Sequence, residues 1–420
     1  MLSLALAVLI VPTPDRETAA ELIGQVLAQE SAATLSDAAQ AALDELAGTR
    51  MGARLEGRLA VGDGLRSALS ETLEELTFEP TLEGDMPVGW PAPTALEEIE
   101  IKRYPVTRLA RAAMSSNSYG PFMSLFRHIS ERDIPMTVPV EMEVDGDRAQ
   151  ETSMGFLYQG PDVGKLEEDG VVQVLDLEPS VFVSLGQRGR NSGSRIATAL
   201  EELRTYVDGR GDLVATGAGR VLEYNGPSVR GARRFFEVQL AVIDRNVATF
   251  ATEADIARWR TIDDRVMGGV SQSRVMATEA GTGSFQGVLS LESNGGFASA
   301  RTLPGPWIAA GTEALVVRVR GDDQTYQLRL RTTEAFDGPS YSASFTAPAG
   351  EWAEITLPLA DFRPTFRGRE VRAEPLLPES VKTLGLLIAD GQEGEFALEI
   401  DWIRTSWQPE ETAPKTVSDL

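Results

Sequence analysis

The sequence of 420 residues has no cysteine and a single histidine, His128. Without cysteine, the chain has no disulfide bond, thiol nucleophile or cysteine-ligated zinc site. A catalytic triad would depend on His128, and no GxSxG motif supplies its serine. The P-loop pattern and a regular GxGxxG are absent as well. Most standard catalytic chemistries are thereby excluded, and we expect a protein that is not an enzyme.

Positive charge is also scarce, with 39 basic residues against 63 acidic ones and a formal net charge of -24. A surface this acidic repels phosphate backbones and anionic lipids, so we expect no nucleic-acid partner. The simplest role of the charge is to keep the protein soluble.

Long apolar runs are missing too. Leu2–Val11 (LSLALAVLIV) is too short to span a bilayer, so we predict no stable membrane span. The run resembles the apolar region of a signal peptide, but no lysine or arginine precedes it. Two locations stay open. The protein is exported to the periplasm if its true start lies upstream, and cytoplasmic if the run is a buried first helix.

The chain changes character along its length. A helical pattern extends to about Leu76, and the turn-rich stretch Gly84–Pro93 ends it. Strands and two helices follow, and from Thr252 onward short strands alternate with turns. We predict a helical N-terminal region over residues 1–84, with 1–11 as a possible leader remnant, and an α+β barrel over residues 85–246. A β-sandwich over residues 251–407 and a disordered tail over residues 408–420 follow.

Individual elements can be assigned from periodicity. One helix begins near Gly120, and a second carries Ile196, Leu200, Leu203 and Val207 on one stripe and ends at Gly209. The clearest strands of the later region alternate with period two. They are Ala314–Arg320, Tyr326–Arg331, Tyr341–Thr346 and Trp352–Leu357.

Four segments between about residues 90 and 242 form a recognisable series. They are Ile99–Tyr104 (IEIKRY), Phe122–Ile129 (FMSLFRHI), Ile134–Val140 (IPMTVPV) and Glu223–Val238, where YNGP is followed by RRFFEV. In this order they resemble the SOUL haem-binding family. The resemblance implies a SOUL-type antiparallel α/β barrel with two flanking helices, and tetrapyrrole binding. Ser130–Asp133 (SERD) replaces the family's Gly/Asn-rich loop, which edges the implied pocket.

A second series of segments covers about residues 251–406. It comprises Trp259–Ser273 (WRTIDDRVMGGVSQS), Ser293–Arg301 (SNGGFASAR), Val319–Arg331, Glu351–Phe362 (EWAEITLPLADF), Phe366–Gly368 and Phe396–Ile403 (FALEIDWI). These segments resemble the complex I intermediate-associated family. The resemblance implies a galactose-binding-like jelly-roll β-sandwich and, in mitochondria, an assembly factor for respiratory complex I.

The haem-binding candidates centre on the helix after Gly120. His128 lies on the flank of its apolar face and is either an axial haem ligand or a partly exposed surface histidine. Met123, Phe126, Ile129 and Met136 would line the pocket or belong to an ordinary core. Arg127 and Lys102, together with Arg103, would pair with propionates or simply solubilise the surface.

The later region offers two further candidates. Asp263 and Asp264 precede a glycine turn and would hold a Ca²⁺ ion or, more simply, lie solvated in the turn. Trp307 is the best candidate for stacking on a sugar ring, because it lies in a turn-rich stretch. Trp259, Trp352 and Trp402 alternate with apolar neighbours and are expected in the core.

Our first hypothesis is therefore a non-enzymatic tetrapyrrole (haem) binding protein whose sandwich docks onto another protein, in redox-complex assembly or haem handling. The alternative is a carbohydrate-recognising envelope protein in which the SOUL barrel is a scaffold and the sandwich binds a glycan. A haem-modifying enzyme is a third reading, for which no residue pattern argues.

Overall fold

The computed structural model describes residues 15–28, 32–61, 64–114, 118–146, 148–226, 228–335, 338–366, 368–389, 391 and 393–406. The chain divides after Asp244 into two compact units, called here the first and the second unit. The apolar run Leu2–Val11 and the predicted tail over residues 408–420 lie outside the described residues. Among the residues described, no helix is long and apolar enough to cross a membrane.

The first unit begins with four short helices. Their bounds are Arg16–Leu27 (α1), Ala32–Glu45 (α2), Arg50–Val61 (α3) and Leu65–Leu76 (α4). Asp15 caps α1 by accepting a hydrogen bond from the Thr18 amide at 3.0 Å. The apolar faces of the four helices form a shared core that includes Ile23, Leu55 and Leu69. Such short helices are marginal alone, so this mutual packing is what stabilises them.

Nine antiparallel strands form the single sheet of the first unit. Their bounds are Ile99–Tyr104 (β1), Thr107–Ala113 (β2), Val140–Asp145 (β3), Gln150–Leu157 (β4), Glu167–Asp169 (β5), Val172–Leu177 (β6), Ser180–Arg188 (β7), Leu213–Glu223 (β8) and Phe235–Asp244 (β9). The strand order is β1-β7-β9-β8-β3-β4-β2-β6-β5. Within the part of the chain that the structure describes, β1 and β5 are the two ends of this order and do not pair. The sheet is therefore open, and the predicted closed barrel is not found.

Two helices cover one face of the sheet. They are Tyr119–Glu131 (α5), which packs on β2, β4 and β6, and Gly193–Asp208 (α6), which packs on β7, β8 and β9. Apolar residues at alternate positions of the strands, such as Val183, Leu185 and Leu240, meet Leu200 and Leu203 of α6 in one core. The opposite face of the sheet carries many polar and charged residues.

The second unit is a β-sandwich, as the sequence predicts. Its elements are Asn246–Thr249 (β10), Glu253–Ile256 (α7), Trp259–Thr261 (β11), Gln272–Ala277 (β12), Gly283–Leu289 (β13), Ala298–Thr302 (β14), Ala314–Arg320 (β15), Thr325–Arg331 (β16), Ser340–Thr346 (β17), Ala353–Pro358 (β18), Arg363–Phe366 (β19), Arg369–Glu370 (β20), Thr383–Ile388 (β21) and Gly394–Ser406 (β22). One sheet has the order β12-β13-β22-β15-β18, with β10 also on β22, and the other has the order β11-β14-β21-β16-β17-β19-β20. Their inner faces share a core that includes Phe285, Leu315, Leu328, Leu384 and Leu398.

Candidate functional sites

The buried face of α5 is rotated toward His128 relative to the predicted apolar face. Pro121, Leu125, His128 and Ile129 are buried, whereas the Phe126 side chain is 43% exposed. His128 is only 2% exposed, so its expected place on the helix flank is wrong. His128 is buried because its imidazole meets hydrogen-bonding partners where α5 packs on the sheet, and an apolar pattern along the helix does not indicate such partners.

Both ring nitrogens of His128 have partners. Nε2 lies 3.0 Å from the Tyr158 hydroxyl and Nδ1 lies 3.4 Å from an Asp169 carboxylate oxygen. Because a carboxylate only accepts, Nδ1 carries the proton and Nε2 accepts from the phenol. Burial raises the pKa of Tyr158 to about 12, so the phenol remains a donor at neutral pH. An imidazole held in this way does not fit the role of an axial haem ligand.

Two other residues of the predicted haem pocket are fully enclosed. Ile129 is 3% exposed and belongs to the apolar core of the first unit. Lys102 is 3% exposed and alternates along β1 with Ile101, which packs toward the helix-covered face. Lys102 therefore lies on the opposite face of the sheet, where it cannot pair with the propionates of a tetrapyrrole bound beside α5.

The remaining residues of that prediction lie toward solvent. Phe126 stacks on Phe122 with a ring-centroid distance of 6.2 Å, and Phe122 in turn meets Phe156 edge-on. Met136 is 40% exposed, Arg127 is exposed and Met123 is half-buried. The structure thus splits the predicted set between the core, the far face of the sheet and the surface.

A buried polar network occupies the far face of the sheet, and the sequence reasoning missed it. Its centre is Glu237 of β9, which is fully buried. Its carboxylate accepts hydrogen bonds from Thr94 N at 2.8 Å, Lys102 Nζ at 3.2 Å, Ser184 Oγ at 2.6 Å, Tyr224 Oη at 2.9 Å and Gln239 Nε2 at 2.6 Å. With five donors around one carboxylate, the charge is well compensated.

Arg220 of β8 extends the network. Its Nε donates to Gln239 Oε1 and its Nη1 to Glu141 Oε2, both at 2.8 Å. The guanidinium lies 3.8 Å from the Phe182 ring centroid and 4.3 Å from that of Tyr104, which are cation–π distances. The polar residues of β8 and β9 alternate with apolar ones, so the sequence alone describes them as solvent-facing. Lys102, predicted to bind propionates, is instead part of this closed structural network.

Asp264, one of the two predicted calcium ligands, is enclosed by donors. Its carboxylate accepts from Ser271 N at 2.9 Å, Ser271 Oγ at 2.6 Å and Gly296 N at 2.7 Å. Burial by itself raises the pKa of this carboxyl, but hydrogen bonds from Ser271, Gly296 and Phe297 outweigh it and lower the pKa below 3.8. Asp263 accepts from Ser273 N at 2.8 Å.

This arrangement argues against the predicted calcium site. Both Asp264 oxygens are engaged by N–H or O–H donors, whereas a cation needs oxygens that face it together. Across the described residues, no group of three or more acidic or histidine side chains is placed to hold a metal ion. Asp264 instead joins the turn before β12 to the turn before β14.

Trp307 is not placed to stack on a sugar. It is 7% exposed, its Nε1 donates to Leu303 O at 3.2 Å, and the Arg258 guanidinium lies 3.9 Å from its ring centroid. The side chain belongs to the sandwich core together with Trp259. The prediction of an exposed aromatic platform at Trp307 is wrong because Arg258 and the core enclose the ring.

The six-stranded sheet of the sandwich ends at β12, which pairs with β13 from Gln272↔Val288 to Ala277↔Gly283. Apolar side chains are exposed along and beside these two strands, with exposed fractions of 42% for Met276 and 49% for Val288. Val270 and Leu291, at 45% and 46%, flank the strands. A groove of about 610 Å³ opens here, lined by Gln272, Arg274, Val288, Asp322 and Glu395 among others.

The sandwich also carries the family pattern. Residues 248–400 match the family model described as Complex I intermediate-associated protein 30 (CIA30). The second predicted resemblance is thereby confirmed for this part of the chain. The SOUL resemblance of the first unit stays a prediction.

Two proteins with CIA30 names are similar to the chain. The mouse (Mus musculus) protein named "Complex I intermediate-associated protein 30, mitochondrial" is 27% identical over 191 residues, which cover 40% of this chain and 58% of that protein. The Caenorhabditis elegans protein named "Probable complex I intermediate-associated protein 30, mitochondrial" is 31% identical over 94 residues, 21% of this chain and 28% of that protein. The chain thus spans less than two thirds of either relative.

Among solved structures, a family 11 carbohydrate-binding module from Clostridium thermocellum in complex with a mixed-linked tetrasaccharide is similar to this chain. The two share 11% sequence identity with a TM-score of 0.30, over 39% of this chain and 95% of the module. At that TM-score the likeness carries no conclusion about what the sandwich binds.

Proposed function

We propose that the protein is a non-enzymatic assembly factor whose sandwich docks onto a protein partner during assembly of a respiratory redox complex. The observation that carries the proposal is the match of residues 248–400 to CIA30. The mouse relative is named for its association with a complex I intermediate. The acidic surface, with net charge -24, is consistent with a partner that is a protein rather than a nucleic acid.

The free edge of β12 and the exposed face of β12 and β13 next to it are where the proposal places the partner. An edge strand offers backbone hydrogen-bonding groups on its outer side, and an extended segment of another protein pairs with such an edge. The exposed Met276 and Val288 give that segment apolar side chains to contact. A partner segment with apolar residues at alternate positions fits both features.

The proposal is tested in the source organism by deleting the coding region for residues 245–420. We expect less assembled complex I on native gels and lower NADH:quinone oxidoreductase activity, both restored by the full-length chain. A Met276→Glu, Val288→Lys variant should fail to restore them. Leu377→Glu, also at an exposed apolar position of the second unit, serves as the control. Unchanged levels of assembled complex after the deletion would refute the proposal.

A second function, tetrapyrrole binding by the first unit, is supported by the exposed Phe126, which stacks on the half-buried Phe122, and by the exposed Met136. Aromatic and thioether side chains contact porphyrin faces without axial ligation. A haemin titration followed by Soret absorbance tests it. We expect saturable binding that survives His128→Ala and weakens in Phe126→Ala. Non-saturating association with the wild type would remove this function.

A further inference from the structure

Arg329 of β16 lies on the outer face of the seven-stranded sheet. Its neighbours along the strand, Leu328 and Leu330, belong to the sandwich core, so the Arg329 side chain points to the opposite side. Its cross-strand partner in β21 is Gly385, which has no side chain. On this side Arg329 therefore borders an empty position of the sheet.

A small hollow opens above Gly385. Its enclosed part has a volume of about 20 Å³, enough for one oxygen atom of a ligand. Arg329, Thr383 and Ser299 are among the residues that line it. A β-carbon at Gly385 would lie 3.3 Å from Ala300 O and 3.6 Å from Arg329 Cβ, so a side chain there would fill the hollow.

Arg329 is a half-buried cation without an acidic partner among the residues that the structure describes. Its hydrogen bond in this part of the chain runs from Nε to Ser342 Oγ at 3.3 Å and leaves the N–H groups of both Nη atoms unused. By contrast, Arg320 of the other sheet is paired with Glu399. Burial lowers the pKa of Arg329 to about 10, so the side chain still carries its charge at pH 7.

The two arginines beside Arg329 are engaged with other groups. Arg331 donates to Gly338 O at 3.0 Å, and Arg301, on the far side of Gly385, also has a partner. Neither of them supplies free donors to a ligand. A ligand at the hollow therefore meets one available guanidinium group, that of Arg329.

A buried hydroxyl group lies at the same hollow. Thr383 is 4% exposed, and within the described structure its Oγ1 has no hydrogen-bond partner. Such hydroxyls are uncommon in proteins, because their removal from water costs free energy that a hydrogen bond normally offsets. Thr383 precedes Gly385 by two residues on β21, so its side chain is on the face where the hollow opens. A ligand oxygen there would give this hydroxyl its missing partner.

We propose that Arg329 and Thr383 bind the carboxylate group of a small organic acid, with one carboxylate oxygen in the hollow above Gly385. The two oxygens of a carboxylate match two parallel N–H donors of one guanidinium group. Its single negative charge compensates the single available cation. A phosphate monoester carries about -1.5 to -2 at pH 7 and would stay partly uncompensated. The site lies in the sandwich but does not depend on the proposed assembly function.

The test is a titration of the full chain at pH 7 and constant ionic strength, followed by the backbone amide signals of Thr383 and Gly385 in ¹H–¹⁵N NMR spectra. Acetate is the probe, acetamide has the same shape without the charge, and inorganic phosphate is the competing anion. The buffer contains no carboxylate, phosphate or sulfate. We expect saturable shifts with acetate, none with acetamide, and no tighter binding of phosphate than of acetate.

Matched variants assign the binding to these residues. Arg329→Gln should weaken acetate binding about tenfold or more, because charge-assisted hydrogen bonds are lost. Arg320→Gln, on the other sheet, is the control and should leave the affinity unchanged. Thr383→Val preserves the side-chain shape and should weaken binding several-fold without lowering Tm, so it decides the matter if Arg329→Gln fails to fold.

Four results would overturn the proposal. They are no saturable shift with acetate, equal shifts with acetamide, tighter binding of phosphate than of acetate, and acetate binding that both Arg329→Gln and Thr383→Val leave unchanged. None of them bears on complex assembly, so the two proposals fail separately.

Discussion

Asp264 shows how much of the sandwich depends on one carboxylate. In the sequence it is half of an acidic pair before a glycine turn, which is consistent with a cation site or, more simply, with a solvated turn. In the structure, Ser271 and Gly296, from segments on either side of β13, donate to it. A β-carbon at Gly269 would lie 2.4 Å from this carboxyl group. The glycine is therefore required by close approach to Asp264.

Replacing Asp264 by asparagine should destabilise the sandwich. The amide would place its own N–H donors against Ser271 or Gly296, and about 2–3 kcal/mol of unfolding free energy should be lost at pH 7. Because the pKa of Asp264 is lowered in the folded state, its contribution is present above pH 3.8 and is lost as pH falls through the lowered value. Thermal unfolding between pH 7 and pH 2 should show a smaller acid effect in Asp264→Asn than in the wild type.

The matched control for that change is Asp361→Asn, at an exposed aspartate of the same unit. It should leave both the Tm at pH 7 and the acid dependence close to those of the wild type. If Asp264→Asn behaves like the control, Asp264 has no role in holding the turns together.

Whereas uncharged donors hold the Asp264 carboxylate, the buried carboxylate of Glu237 is paired with a cation, Lys102. Lys102 Nζ lies 3.2 Å from Glu237 Oε1 with both side chains almost wholly removed from solvent. Lys102→Met should lower the unfolding free energy of the first unit by about 3–5 kcal/mol, because Glu237 keeps a buried charge without its cation. Lys102→Met with Glu237→Gln should recover part of the loss, since the charge is removed as well. Urea unfolding followed by circular dichroism measures both.

Lys165→Met, at an exposed lysine of the first unit, is the control and should change the free energy by less than about 0.5 kcal/mol. Equal losses in the single and double variants would show that the charge of Glu237 is not the source of the instability.

At the scale of elements, local periodicity locates the helices, but it does not identify the contacts that their side chains make with distant parts of the chain. α6 was assigned from Ile196, Leu200, Leu203 and Val207, and these side chains are buried in the structure. α5 was also located correctly, but its apolar pattern misjudged which face is buried. Tyr158 and Asp169 lie 30 and 41 residues along the chain from His128, so no local pattern could reveal that they bind it.

The segment before β1 is a second case. Leu96 bridges to Gly186 of β7, and Thr94 donates to the buried Glu237. A β-carbon at Gly186 would lie 2.6 Å from both Thr94 O and Ala95 O. The segment can cover the polar network only because residue 186 has no side chain.

Gly186→Ala should therefore displace this segment and cost about 1–3 kcal/mol through overpacking. Gly193→Ala at the start of α6 is the matched control. Within the described structure no atom lies within 4 Å of its added β-carbon. The control should change stability by less than about 1 kcal/mol. Urea unfolding curves of the two variants compare them directly, and similar curves would contradict the account of Gly186.

For the whole molecule, the division after Asp244 yields units with separate hydrophobic clusters. Among the described residues, those of the sandwich form one cluster and those of the first unit form three others. Each cluster groups residues of a single unit. A unit with its own core is expected to unfold as its own cooperative transition.

Scanning calorimetry of the full chain should therefore resolve two transitions. Asp264→Asn should lower the temperature of one transition and Gly186→Ala that of the other. If both variants shift the same transition, the two units do not unfold independently.

The sequence by itself determined the types of the main elements, the sandwich and its CIA30 pattern. β15 was assigned to Ala314–Arg320, as in the structure, and β16 and β17 within one residue. These features follow from the alternation of side chains and from turn residues, which are local. Tertiary structure alone decided that the nine-stranded sheet is open, that Glu237 and Arg220 are buried, and that Arg301 and Arg329 flank Gly385. Those outcomes depend on which strands become neighbours, and partners such as Lys102 and Glu237 are 135 residues apart in the chain.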